Sequence, residues 1–556
     1  MSRGDDALRL LSLAFAATAA LTLLAGLLIA VTIPIHSWDA LAYGEWSRLI
    51  AEHWSLRFPE ISAQTYHRPL FYVLQGVLWG VFGFHEWIGR LLSLGFTVLL
   101  FGTTAWLAAR GPRFAPQAVV AAILLCLMPD VLRGIASGLT DLPLAAVVGL
   151  TAALAWTDRV PAARPYLVGA SACLAVLMKP TAVVALVALA AVLLLWPRGS
   201  RRSALLRGAV PVAVGTAIAL TYDLVQARHL GIGLLDFLRA GSTGVYEQLA
   251  RESRYDQLVG LQWLGPDLRP LLVFALVYAG LRVAGLEHRP TTLVALVATP
   301  VLSLALPVLA GDGSGVESSV ASSGAALGFA ALCASLVGAL WCPRDDEPEP
   351  DWLGRLLLLG GIPAVVWLLY GAYDSRLGSA AWPGLVALVA VTFTPALIGL
   401  ARRAPAALAV PGVALVAFAA YGYTELDDLG DERWRTYQSL GTRVFNEAET
   451  RNLVQPQLTE LVELAAAELG PDERLASAAG QFRFYFPGRV TQGYPAGCAD
   501  LRGYGVFVLL TDEGTQAYMR DVARVPADPA YWEACTSPPL TEVATLPGYV
   551  FFRVGS

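Results

Sequence analysis

Apolar runs long enough to cross a bilayer recur through residues 1–422, and they leave few folds open to the chain. A helix needs about 20 such residues to span hydrocarbon about 30 Å thick. Only helices and closed barrels satisfy every backbone polar group at that depth. The first run, Leu10–Ile33, is too long for a signal-peptide core and lacks a small-residue cleavage site, so it is expected to remain as a span. Further runs are read at 88–109, 117–138, 142–157, 165–178, 181–197, 208–224, 268–284, 291–309, 320–341, 354–372, 380–400 and 405–422. The expected fold is an α-helical polytopic membrane protein of about 13 transmembrane helices.

The positions of the basic residues orient these spans. Of 39 Lys and Arg residues only Lys179 is lysine, so 38 are arginine. A P-loop needs Gly-Lys-Ser/Thr, and Lys179 sits in Leu177-Met178-Lys179-Pro180, which excludes nucleotide hydrolysis through that motif. Zinc-type cysteine spacing, HExxH, a dinucleotide fingerprint and a basic tract for nucleic acid are also missing. Arg3 and Arg9 hold the N-terminus on the cytoplasmic side. If Leu70–Gly83 does not cross, Arg110/Arg113, Arg159/Arg164, Arg198/Arg201/Arg202/Arg207, Arg282/Arg289, Arg344/Arg355 and Arg402/Arg403 all fall inside. If it crosses, they all fall outside. The first alternative is adopted, which gives a cytoplasmic (inner) membrane protein with the N-terminus in and the C-terminus out.

Three stretches then face outwards. Residues 34–88 form the first external loop, an amphipathic interfacial segment beginning at Asp39 with Trp38, Trp46 and Trp54 at the level tryptophan favours. Residues 225–267 form a second, mixed-charge loop. Residues 423–556 leave the apolar pattern and read as a small α/β extracytoplasmic domain: a helical run from Arg433 to Leu469, strands at Arg474–Ala478, Val506–Leu510 and Tyr549–Val554, and a helix near Glu513–Ala523. Cys498 and Cys535 are its only cysteines, and an external compartment permits their pairing. Cys126, Cys173, Cys333 and Cys342 lie in or beside spans and read as packing.

Ionisable groups at membrane depth are functional candidates by default. Asp39 and Asp141 both fall at the outer surface; each also suits a helix N-terminus. His67 and Arg68 open the short apolar run, and Arg68 is either an interface anchor or a planar fork for phosphate. Lys179 is a point-charge partner for phosphate or an anchor, and Arg376, beside Asp374, is a further outward cation. A divalent metal held among Asp39, Asp141 and His67 is an open alternative. At an outer face without nucleotide sugars, a transferase would need a donor held in the bilayer. A polyprenyl-phosphate sugar meets that need: its leaving phosphate would be stabilised by Arg68, Lys179 or Arg376, and a carboxylate would deprotonate the acceptor hydroxyl.

Asp39 in the first external loop, His67-Arg68-Pro69 followed by Leu70-Phe71-Tyr72, Gly83 through Arg90-Leu91-Leu92-Ser93, and Asp141 before a span resemble the GT-C fold glycosyltransferases. The nearest of these are the protein O-mannosyltransferases and lipid A aminoarabinose transferases. The resemblance implies that Asp39 is the catalytic base and that Arg68 contacts donor phosphate. It also implies a polyprenyl-phosphate sugar donor and a cell-envelope glycan, lipid or protein acceptor. Here Ala40 follows Asp39, where O-mannosyltransferases carry an Asp-Glu pair. The rival reading is a carrier or flippase for lipid-linked sugars. Carriers place their ionisable groups near the midplane, whereas these cluster at the outer surface.

Overall fold

The computed structural model describes residues 38–56, 68–110, 116–128, 130–131, 134–135, 138–157, 162–197, 200–237, 269–287, 290–295, 297–299, 349–370, 375–403, 458–477, 479, 481–492, 495–511, 516, 519–520 and 524–555. The expected spans at 10–33, 320–341 and 405–422 lie outside them, as do most of the 225–267 loop and of the helix expected at Glu513–Ala523. Helix α1 is Trp38–His53, α2 Leu70–Phe82, α3 Glu86–Ala109, α4 Pro116–Leu127, α5 Asp141–Trp156, α6 Arg164–Met178 and α7 Ala182–Leu195. Helix α8 is Arg201–His229, α9 Arg269–Val283, α10 Pro350–Tyr370 and α11 Trp382–Arg403. Among the described residues, Trp87–Ala109, Arg201–His229 and Gly378–Gly399 are long and apolar enough to cross a membrane. Helix α2, at 13 residues, is about 20 Å long and falls short of the hydrocarbon thickness.

Two of the helices depart from the expected spans for local reasons. The run at 117–138 is interrupted: α4 stops at Leu127, ahead of Pro129, because the residue before a proline is driven out of helical backbone. Helix α8 starts before residue 208 because Ser200 caps it, its Oγ accepting from the Ser203 N–H at 3.2 Å. A π-helical turn at Leu205–Ala209 then carries the chain into Val210–His229. The helix also runs past residue 224 to His229, which puts Asp223 more than a turn inside it.

The described residues group into two units, residues 68–70 and 91–403 in one, 38–56, 71–90 and 458–555 in the other. In the helical unit α6 packs against α5 and α8. A Cβ on Gly215 would overlap the Gly169 carbonyl, so small residues set how closely α6 and α8 approach.

The second unit is built on a five-stranded sheet, with β1 at Arg474–Ser477, β2 at Val490–Gln492, β3 at Tyr504–Leu510, β4 at Leu540–Leu546 and β5 at Tyr549–Val554. The order is β2-β1-β3-β5-β4, with β1 parallel to β2 and β3, and β5 antiparallel to β3 and β4. Both faces are covered. Val506, Val508 and Phe551 pack on one side with Leu461 of helix α12 (Leu458–Glu468) and Phe482 of helix α13 (Gln481–Tyr485). Phe507, Leu509 and Phe552 pack on the other with Trp532 of helix α14 (Pro529–Glu533). Side chains on both faces of β3 and β5 are therefore apolar except for Arg553, which is why these strands read as nearly continuous apolar runs. Strands β2 and β4 were not expected: β2 has three residues, and β4 is an edge strand that exposes Thr541 and Glu542. Cys498 and Cys535 form a disulfide, with Cα atoms 5.7 Å apart and a separation of 37 positions in sequence. Closing a loop of this length restricts the unfolded chain by about 3–4 kcal/mol in the chain-entropy account.

One polar contact ties the ends of this sheet domain together. Arg553 on β5 forks onto Glu473, at 2.6 and 2.8 Å, and also donates to the carbonyl oxygens of Glu468 and Gly505. The fork and the Gly470 N–H hold the Glu473 carboxyl below the usual carboxylate range. A folded-state value below the unfolded one means that the contact stabilises the domain above the unfolded pKa, about 4.3, and is lost as pH falls through the lower folded value. Hydrogen exchange at the β3 amides of full-length Glu473→Gln should therefore exceed wild type by a constant ratio from pH 7 to pH 5, and that ratio should shrink below about pH 4. A ratio that does not change with pH would show that the Glu473 carboxylate does not support the sheet.

Candidate functional site

The buried charges of the helical unit come in pairs, and helix direction explains the first of them. Helices α5 and α6 are neighbours joined by a short connection, so the start of one lies beside the end of the other. Asp141 is the first residue of α5, where a carboxylate suits the helix dipole. Lys179 caps α6 in extended backbone because Pro180 follows it. The Lys179 Nζ donates to Asp141 Oδ1 at 2.5 Å, with the two side chains 11% and 7% exposed. Among the described residues the other two N–H donors of this ammonium have no partner.

The second pair joins Arg68, two residues before α2, to the interior of α8. Arg68 Nη1 and Nη2 lie 2.5 and 2.8 Å from the two carboxylate oxygens of Asp223, with side-chain exposures of 2% and 0%. The Nη2 contact is a charge-assisted hydrogen bond, and the Nη1 contact is a close ion contact without hydrogen-bond alignment. Asp223 was not singled out in the sequence, where it lies at the margin of the run at 208–224. Its signal was an aspartate inside an apolar run, which is expensive unless paired.

The structure thus joins Asp141 to Lys179 and gives Arg68 a partner from α8. Asp39 lies in the first turn of α1, and Arg376 on the 3₁₀ helix Ser375–Ala381; the side chains of both are outside the described residues, as is all of His67. Asp141 fits a metal poorly, since its Oδ1 already receives an ammonium and a second cation there would be repelled. Among the described residues no group of three His, Cys, Asp or Glu side chains is placed to hold a metal ion. What the paired arrangement offers instead is positive charge at low dielectric, kept close to neutral by carboxylates until another anion competes for it.

No family profile matches the chain, and no curated protein sequence does. Among solved structures it is similar to ArnT from Cupriavidus metallidurans bound to undecaprenyl phosphate, at 16% identity and a TM-score of 0.46, with 97% of each chain covered. It is also similar to the Archaeoglobus fulgidus oligosaccharyltransferase tethered to an acceptor peptide, at 14% identity and a TM-score of 0.42, over 90% of this chain and 70% of that one. A third is the arabinofuranosyltransferase AftD from mycobacteria, at 14% identity and a TM-score of 0.48, over 98% of this chain and 40% of that one. All three are glycosyltransferases of the GT-C fold, the group that the sequence resembles.

The Arg68–Asp223 pair makes a prediction about stability that is independent of activity. Asp223→Leu leaves a buried guanidinium without its carboxylate and should destabilise the protein by about 3–5 kcal/mol. Arg68→Met combined with Asp223→Leu removes both charges and should recover most of that loss. Thermal unfolding in detergent compares the three proteins; a single variant no less stable than the double would show that the pair is not electrostatically coupled.

Proposed function

We propose that this protein is a polyprenyl-phosphate-sugar-dependent glycosyltransferase of GT-C type, transferring a sugar with inversion to an acceptor hydroxyl at the outer face of the cytoplasmic membrane. The reading is carried by Lys179, a buried ammonium balanced by Asp141 and, among the described residues, with two donors to spare. In the reaction Asp39 takes the proton of the acceptor hydroxyl as its oxygen bonds to the anomeric carbon. The bond from that carbon to the phosphate oxygen breaks through an oxocarbenium-like state. Polyprenyl phosphate leaves with one more negative charge, which Lys179 and Arg68 stabilise, with Arg376 as a further cation. Asp141 tunes Lys179 and orients the acceptor. The acceptor is a glycan, lipid or protein of the cell envelope.

Asp39→Asn keeps the shape and capping ability of the side chain but removes the proton acceptor. Purified protein given decaprenyl-phosphate mannose or arabinose donors should lose about 10²–10⁴ in turnover on this change. Lys179→Ala and Arg68→Ala should each weaken binding of polyprenyl phosphate itself by about 1.5–3 kcal/mol. Normal turnover in Asp39→Asn would remove it as the base, and wild-type phosphate affinity in both cation variants would reduce them to anchors.

In the membrane the protein is oriented with its N-terminus in the cytoplasm and residues 423–556 outside, and α2 does not cross. The arginine distribution supports this orientation. A cysteine introduced at Pro112 should resist impermeant thiol reagents on intact cells, whereas one at Thr450 should react. The opposite pattern would invert the topology.

A further inference from the structure

Helix α1 turns an acidic residue inwards, against the habit of a helix lying at a membrane surface, whose charges face water. Glu45 is 1% exposed. Its Oε2 accepts from Arg483 Nε at 2.8 Å and lies 2.5 Å from Nη2, while Oε1 accepts from the Gly488 N–H at 3.2 Å. One turn on, Arg48 Nη1 donates to the carbonyl oxygens of Phe484 and Tyr485, both at 3.0 Å, at the end of α13 where carbonyls lack helical partners. Phe484 is wholly buried and fills the space left by Gly44, where a Cβ would overlap its ring. Trp79 and Phe84 close around it, with ring centroids at 6.0 and 5.3 Å.

Gly44, Glu45 and Arg48 lie on one face of α1, and all three are matched by the segment 483–488 of the C-terminal domain. A ring in a notch, a buried ion pair and a doubly accepting helix end together permit one rotational setting of the helix. Asp39 is carried six residues before Glu45 on the same rigid helix. We infer that Glu45 and Arg483 are positioning residues through which the C-terminal domain fixes the setting of the Asp39 helix. The catalytic consequence rests on Asp39 being the base; the docking itself does not.

The test uses the full-length protein with Arg483→Gln, Arg483→Lys and Gly44→Ala. Ala favours helix over Gly by about 1 kcal/mol, so Gly44→Ala should leave α1 helical while displacing Phe484. The first reading is hydrogen exchange: amides of α1 should exchange at least about 10-fold faster in Arg483→Gln and Gly44→Ala, with the β3 and β5 amides unchanged. The second is turnover of decaprenyl-phosphate mannose. In the same two variants kcat should fall about 10- to 100-fold with KM for the donor nearly constant, since a misplacement of about 1 Å costs that much. Arg483→Lys, which keeps the charge, should recover part of both. Unchanged α1 exchange in Arg483→Gln and Gly44→Ala would overturn the docking. Faster exchange with normal kcat would overturn the positioning role. If wild type does not turn the donor over, or Asp39→Asn is fully active, the proposed chemistry fails while the exchange reading still decides the docking.

Discussion

A charge buried among apolar helices has to be neutralised by a partner, and this requirement shapes the helical unit. Taking an ammonium or guanidinium out of water costs several kcal/mol even after relaxation, and only a close carboxylate recovers it. Lys179 therefore requires Asp141, and Arg68 requires Asp223. The requirement reaches into the backbone. Lys179 meets Asp141 because α5 and α6 are antiparallel neighbours of similar length, and Arg68 meets Asp223 because α8 extends past the end of its apolar run. Apolar residues of the same volume would give a bundle of similar stability, so stability alone does not account for the two pairs.

The two cations differ in a way that suits a reaction in which charge builds up on a leaving phosphate. The Arg68 guanidinium makes one hydrogen bond and one close ion contact with the Asp223 carboxylate, both buried. The Lys179 ammonium is held by one oxygen and, among the described residues, keeps two donors without a partner, on a flexible four-carbon stem. In the proposed transfer a dianionic product would compete with Asp141 better than a monoanionic substrate, and only such a late difference would accelerate the chemistry.

Hydropathy alone made most of the helical unit legible: the runs at 142–157, 165–178 and 181–197 became α5, α6 and α7 with ends shifted by a few residues. In the sheet domain, Tyr549–Val554 was read to the residue and Val506–Leu510 to within two, because both strands bury apolar side chains on both faces, Arg553 apart. What stayed hidden depended on side-chain neighbours. The end of α4 turned on one proline, β4 on its edge position, and the partner of Arg68 on an aspartate 155 residues away. Asp141 and Lys179 were each recognised but given separate roles, since spacing along the chain carries no charge pairing between helices.

The amphipathic segment at Asp39 was legible as a helix, but it read as an interfacial segment lying at the membrane surface. Lipid alone would leave such a helix free to roll about its axis, because headgroups and acyl chains impose a depth and no rotational register. A protein surface removes that freedom when it supplies matched shapes. Gly44 admits Phe484, Glu45 receives Arg483, and Arg48 reaches two carbonyls, each contact being specific to one setting. These partners lie more than four hundred residues along the chain, in a five-residue helix that no local signal announces. A general base has to meet its proton within hydrogen-bond reach, a tolerance of tenths of an ångström that a rolling helix cannot keep. A folded sheet domain packed against this helix is a physical means of keeping it.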